Sequence, residues 1–487
     1  MPPYFSSYHS SYSICLLILK SQIKSHTKFM VILFILLLNL VIKSHGIQHK
    51  LLHDKLGELG TIDDDPSKDE YEKGAFEMSL CQKHCENIVN VDNFGAVGDG
   101  LSDDTQAFSR AWKQACSTPK SVFFVPKRRT YLVNATIFAG PCADRLTVKI
   151  DGTIVAPADP NHWDHVKFGR IWLVFSNLTG VLFKGKGVID GSGSQWWASS
   201  CKRNRTNPCI PAPTALTLEA SSDIRFRDLT VINSQQFHFT IYNCKSVRVT
   251  NAVVTAPRDS PNTDGIHISR STDVVLKKCF IATGDDCISI ISGSSNIYMK
   301  SIYCGPGHGI SIGSLGKNNA TDFVQNIVLN GAFIKNTTNG LRIKSWQGGS
   351  GYAKAIKFQN VIMEDVQNPI IIDQFYCDSF TPCANQTKGV EISEITYRNI
   401  FGTTASDVAM KFACSDSVPC SNIMLANIML VMKNGETRSF CNSASGIVQG
   451  IVDPPADCLT CNNNNNNITC DLIAKSTSLD SKNYWRN

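Results

Sequence analysis

What this 487-residue chain has little of narrows its class first. Only 18% of its residues are charged while 43% are hydrophobic, which excludes a disordered chain and leaves a globular one with length for a sizeable core. It has no long run of Lys and Arg, and a net charge of +6 is too mild and too spread for a nucleic-acid binder. That balance does suit an acidic partner. No apolar run approaches the roughly 20 residues that span a bilayer. The longest, Phe29 to Ile42, is broken only by Asn39, follows Lys20, Lys24 and Lys28, and ends at Ser44-His45-Gly46. This is the layout of a secretion leader over residues 1–46, with a signal anchor as the alternative, and it leaves no membrane span in the mature form. Finally, Cys458-Leu459-Thr460-Cys461 has no second pair at finger spacing, which argues against a structural zinc site.

Cysteine itself is abundant, with nineteen in the chain. Setting Cys15 in the leader aside leaves an even number, which predicts up to nine disulfides in an exported protein. Short-range candidates are Cys201/Cys209, Cys287/Cys304, Cys377/Cys383 and Cys414/Cys420. Asn-x-Ser/Thr sequons at Asn134, Asn177, Asn204, Asn319, Asn336, Asn385 and Asn467 agree with secretion to the extracellular space. Residues 47–88 are charged and aperiodic, with Asp63-Asp64-Asp65-Pro66, and read as a pro-segment or flexible arm. The tail, 456–487, carries Asn462 to Asn467 and reads as a disulfide-tied end.

The span between, 89–455, is built on a repeat. Gly265-Ile266-His267-Ile268, Cys287-Ile288-Ser289-Ile290, Gly309-Ile310-Ser311-Ile312, Gly340-Leu341-Arg342-Ile343 and Pro369-Ile370-Ile371-Ile372 all place aliphatics at their second and fourth positions. Ile224-Arg225-Phe226, Val247-Arg248-Val249, Val274-Val275-Leu276, Ile297-Tyr298-Met299 and Ile327-Val328-Leu329 form an interleaved second series. Short strands returning every 20 to 30 residues, broken by Gly, Asn and Ser, predict an all-β solenoid. A sandwich would not restore the same side-chain register on each cycle. A doubly wound α/β fold would need amphipathic helices between the strands, and there are none. The one clear helix, about Thr105 to Cys116 with Phe108, Ala111, Trp112 and Ala115 at helical spacing, is expected to cap the N-terminal end of the stack.

Stacked coils sit about 4.8 Å apart, so the alignment of repeats is also a map. The residue before each strand segment is Asp264, then Asp286, then His308, with Asp285 one place further back. On the next coil Arg342 and Lys344 alternate with inward Leu341 and Ile343. Each aspartate alone is an ordinary turn former, His308 could simply sit in a tight Gly-flanked turn, and stacked carboxylates can bind calcium. Three successive turns choosing charged residues in one column point instead to acid/base chemistry. Crowded like charges raise one pKa, and one protonated plus one ionised carboxyl suffice to hydrolyse a glycoside. Arg342 and Lys344 would recognise a sugar bearing a carboxylate.

Asn262-Thr263-Asp264, Gly284-Asp285-Asp286, Gly307-His308-Gly309 and Arg342-Ile343-Lys344 resemble, in order and spacing, the signature motifs of the polygalacturonases, glycoside hydrolase family 28. With Phe94-Gly95-Ala96-Val97-Gly98-Asp99-Gly100, the resemblance runs from about residue 91 to about 450. It implies a right-handed parallel β-helix and inverting hydrolysis of polygalacturonate in pectin, with no metal or other cofactor, by a monomer working in the plant cell wall. Asp285 would be the general acid, and Asp264 and Asp286 would hold the attacking water. His308 would tune the acid or contact the sugar. Asn262, Arg342, Lys344 and Tyr376 would bind substrate, and a Cys287/Cys304 disulfide would brace the catalytic turns. A pectate lyase, which uses calcium and an arginine base, is the nearest rival. A rhamnogalacturonan hydrolase and an inactive wall-binding glycoprotein are further ones; Arg342 with Lys344 counts against the former, and the intact aspartates count against the latter.

Overall fold

The computed structural model describes residues 87–470, apart from 380, 460, 465 and 466. The leader, the arm up to residue 86 and the end of the tail lie outside the described residues. The rest is a right-handed parallel β-helix. One of its sheets has eleven strands stacked in chain order, every neighbouring pair parallel. They are β1 Thr136–Ala139, β2 Ile171–Ser176, β3 Thr214–Glu219, β4 Phe239–Tyr242, β5 Ile266–Ser269, β6 Ile288–Ile290, β7 Ile310–Leu315, β8 Asn339–Ser345, β9 Asn368–Asp373, β10 Val408–Ala413 and β11 Arg438–Asn442. A second sheet of twenty strands forms the remaining walls.

The register follows from which side chains must leave water. Ile266, Ile288, Ile310, Leu341 and Ile370 pair in one column, all fully buried. Ile224, Val247, Val274, Ile297, Ile327, Ile356, Ile395 and Ile423 form another in the larger sheet. Both predicted series are therefore core stripes. A slip by one residue would turn every aliphatic outward, which is why the stack holds register. Each buried Ile or Leu contributes about 1.5–3 kcal/mol by leaving water. Asparagines make several of the corners. Asn296, Asn326, Asn360, Asn399 and Asn427 take φ of 52–59°, a conformation this residue tolerates. Their amides bond from coil to coil, Asn427 to Asn399, Asn399 to Asn360 and Asn326 to Asn296 at 3.0–3.2 Å.

Helix α1, Thr105–Ser117, buries Ala107, Phe108, Ala111, Trp112 and Ala115 on one face. Phe108 and Trp112 meet Phe123, Tyr131, Phe138 and Phe175 edge-on, and Trp112 Nε1 donates to the Ala139 carbonyl at 3.1 Å. The end of the stack is sealed by this cluster, as the helical spacing predicts. No helix among the described residues is long and apolar enough to cross a membrane.

All four short-range cysteine pairs form disulfides, and Cys116–Cys142 and Cys441–Cys458 add two more. Six disulfides thus form among the described residues, within the expected bound of nine. Cys244 and Cys279 are free and buried, at different corners of the helix. Each fills core volume as a small hydrophobe and points its thiol at a carbonyl, of Tyr242 and of Lys277 respectively.

Candidate active site

The pairing of Ile266 with Ile288 and Ile310 puts Asp264, Asp286 and His308 at equivalent places on three successive coils, each on the turn entering its strand. Two glycines let these turns pass so closely. A Cβ on Gly284 would lie 1.9 Å from the Ser260 carbonyl oxygen, and one on Gly309, at φ 84°, would lie 2.0 Å from that of Asn339. The Cys287–Cys304 disulfide ties down the residue directly after Asp286.

All eight residues predicted to serve catalysis or binding line one open groove of about 660 Å³: Asn262, Asp264, Asp285, Asp286, His308, Arg342, Lys344 and Tyr376. Depth separates them. Asp264 and Asp286 are 6% and 1% exposed, whereas the side chains of Asp285 and His308 are 21% and 38% exposed. Asp285 Oδ1 lies 3.0 Å from His308 Nδ1 and accepts the backbone N–H of Asp286 at 2.8 Å. Asp286 takes Arg342 Nη2 at 2.5 Å, Lys344 Nζ at 2.8 Å and Ser311 Oγ at 2.8 Å. Asp264 Oδ2 takes Ser289 Oγ at 2.6 Å, with His267 Nδ1 at 3.9 Å. Lys344 Nζ also lies 5.1 Å over the Tyr376 ring. A larger hollow on the other sheet, lined by Val328, Lys357, Thr396 and Met424 among others, has Glu394 as its one carboxylate and so lacks an acid/base pair.

Residues 116–451 match the family model of glycosyl hydrolases family 28. The chain belongs to that family. It is 49% identical over 373 residues to a probable polygalacturonase of Arabidopsis thaliana, covering 76% of this chain and 84% of that one. It is likewise 49% identical to a polygalacturonase of Persea americana, over 75% and 78% of the two chains. An endo-xylogalacturonan hydrolase from Aspergillus tubingensis has the same fold, with TM-score 0.64 at 22% identity over 74% of this chain and 98% of that one. A polygalacturonase from Erwinia carotovora does too, with TM-score 0.59 at 20% identity over 73% and 96%.

Electrostatics divide the carboxylates of this family 28 hydrolase more finely than spacing does. Burial raises the Asp286 carboxyl, but Arg342 and Lys344 outweigh it and bring it down to about 2. Burial first, then the charges of Asp285 and Asp286, hold Asp264 well above the usual carboxylate range. Crowding thus raises one carboxyl, as expected, and the raised group is the deeply buried Asp264. His267 is brought down to about 4, chiefly by burial, and is neutral at pH 7. Asp285, Asp286 and His308 have ligand atoms within 4.8 Å of one another, close enough to bind a metal. Arg342 and Lys344 already occupy Asp286, however, and would repel a divalent ion there.

Ser289, Ser311 and His267 escape a reading based on charge alone. They pair with one another and with Arg342 in a single column, and the serines hold the two buried aspartates. The signal was a polar third position between aliphatic second and fourth ones.

Proposed function

We propose that this chain is an extracellular enzyme that hydrolyses the α-1,4 linkages of polygalacturonic acid with inversion. The observation that carries this reading is the pairing of an accessible acid with deep, differently ionised carboxylates beside two cations. Asp286, ionised through the working range, can accept a proton from water and cannot donate one. Asp264, its deep neighbour on the previous coil, holds the same water through its carboxyl oxygens. Asp285 is the carboxyl that a glycosidic oxygen can reach, and it gives its proton to the leaving oxygen as water oxygen bonds to the anomeric carbon. One water is consumed, its proton passing to Asp286 and the proton of Asp285 passing to the leaving hydroxyl. His308, bonded to Asp285, orients the acid. Arg342 and Lys344 sit where they can share the sugar carboxylate with Asp286, and Tyr376 and Asn262 complete the walls. The disulfides and the plant polygalacturonases it resembles support the wall location.

The test is a product profile on polygalacturonic acid with a chelator present. New reducing ends, initially of inverted anomeric configuration and without ultraviolet absorbance, are expected. Unsaturated, calcium-dependent products would replace this reading with a lyase.

A further inference from the structure

The wall across the core from the groove carries its own pattern of charge. β3, β4 and β5 each pass through a two-residue turn into Ser222–Arg227, Lys245–Thr250 and Thr272–Lys277. The two sets share one core, in which Leu218, Ile241 and Ile268 are fully buried together with Ile224, Val247 and Val274. On the outer side of this wall, register aligns Lys149, Lys184, Arg227, Thr250, Lys277 and Lys300 in one column on successive coils. At about 4.8 Å per coil that column runs roughly 24 Å. Beside it Arg225 lies directly against Arg248, and both are exposed.

Like charges set directly opposite on neighbouring strands destabilise a sheet, so cations stacked this way call for a counter-charge. The wall supplies little of it. The strands that bear these cations carry only Asp223 and Asp273, both at corners, and Asp273 accepts from Asn296 Nδ2 at 3.1 Å. Asp151 lies 3.3 Å from Lys149, but Lys184, Arg225, Arg227, Arg248 and Lys300 form no ion pair among the described residues. Nor does the scaffold require cations at these places. Further along the stack the first column continues as Asn330 and Gln359, and that of Arg225 and Arg248 continues as Val275, Tyr298 and Val328. None of the sequons falls in these strands, and none of these cations lines the groove.

We propose that this wall is a second, non-catalytic site for a polyuronide, a linear sugar polymer with a carboxylate on every unit. A straight file of cations repeated at coil spacing fits a linear polyanion rather than a single small acid. Each contact is open to solvent and weak, so affinity comes from many made at once, and only a long chain can make them. Held there, the enzyme stays on its polymer while the groove remains free to take a neighbouring chain. The assignment rests on the polygalacturonate reading, and the experiment separates the two.

Retention on a polygalacturonate gel is measured with Asp285→Asn protein, which leaves the gel intact, while a saturating short oligogalacturonate fills the groove. The parent should be held at about 0.01 M salt and largely released at about 0.15 M, where charges are screened within roughly 8 Å. Adding Arg225→Gln/Arg227→Gln/Arg248→Gln should weaken retention roughly tenfold, and Arg225→Lys/Arg227→Lys/Arg248→Lys should keep it within about twofold. The Gln variant's melting temperature should hold or rise, because stacked like charges have been removed. Lys184→Gln/Lys300→Gln probes the same column should the triple variant fail to fold. With Asp285 intact, the Gln variant should turn over short soluble oligomers at the parent's rate. No retention once the groove is filled, retention indifferent to these substitutions, or equal retention on fully methyl-esterified pectin would overturn the proposal. Stronger retention on a sulfated dextran of equal charge density would likewise overturn it, assigning the wall to another polymer. Should the unmodified protein release no reducing ends from polygalacturonic acid yet show this charge-dependent retention, the hydrolase reading falls and the site stands.

Discussion

Replacing Asp286 by Asn separates charge from shape at the centre of the groove. The amide can keep one oxygen for Ser311 and Arg342, but it presents no charge to two cations whose side chains are only 12% and 9% exposed. A carboxyl moved from its ordinary value near 4 to about 2 contributes about 2 kcal/mol to folding at pH 6. The folded value lies below the unfolded one. The contribution is therefore complete above pH 4 and is lost as pH falls through 2. By pH 3 it has dropped to about 1 kcal/mol. Denaturant unfolding of the parent and of Asp286→Asn, followed by circular dichroism at pH 3, 4.5 and 6 with disulfides intact, measures the difference directly. The variant should be weaker by about 2 kcal/mol at pH 6 and by about half that at pH 3. A deficit that stays constant with pH, or grows on acidification, would show that packing rather than the Arg342 and Lys344 ion pairs holds this carboxylate.

Asp264→Asn should behave in the opposite sense. Its folded value is raised, so the ionised group weakens the fold at neutral pH; the variant should be more stable there, and the gain should fade below pH 4 in the same unfolding series. Asp285→Asn should lower turnover of polygalacturonic acid by a factor on the order of 10²–10⁴ while calorimetric binding of oligogalacturonates persists, and near-normal release of reducing ends would remove its role as acid. Arg342→Ala should raise KM for de-esterified substrate roughly tenfold and affect methyl-esterified pectin less; an equal effect on both would show that it does not read the carboxylate.

The column of candidate site residues was legible because a solenoid turns sequence spacing into position. Ile266, Ile288 and Ile310 recur at equal steps, and the residues two places before them inherit the same alignment. Position along a column is one coordinate; depth is another, and spacing does not encode it. This is why Asp264 and Asp285 could both be named while spacing left open which carboxyl burial would raise. Serine hid for a related reason: at the third place of a strand segment it reads as an ordinary polar outward residue, and only packing reveals that Ser289 and Ser311 are buried at 2% and 0% exposure. The Lys202–Asp378 contact joins residues 176 apart through irregular loops, where no periodic signal exists. Cys244 and Cys279 defeated counting, because an even total says nothing about which thiols face one another.

A repeating scaffold would seem to give repeated chemistry, yet Asp264 and Asp286 end with opposite shifts. They share one contact. Each accepts a hydroxyl 25 residues later, Ser289 for the one and Ser311 for the other. What differs is the next member of the serine column on either side. Ser289 is flanked by His267, which burial keeps neutral, and Ser311 by Arg342, which carries a permanent charge. One aspartate is thus backed by an uncharged ring and the other by a cation, with Lys344 added on the same strand. The change from His267 to Arg342 along that column, together with Lys344, makes adjacent carboxylates chemically unlike. Asymmetry of that kind is what an acid/base site requires.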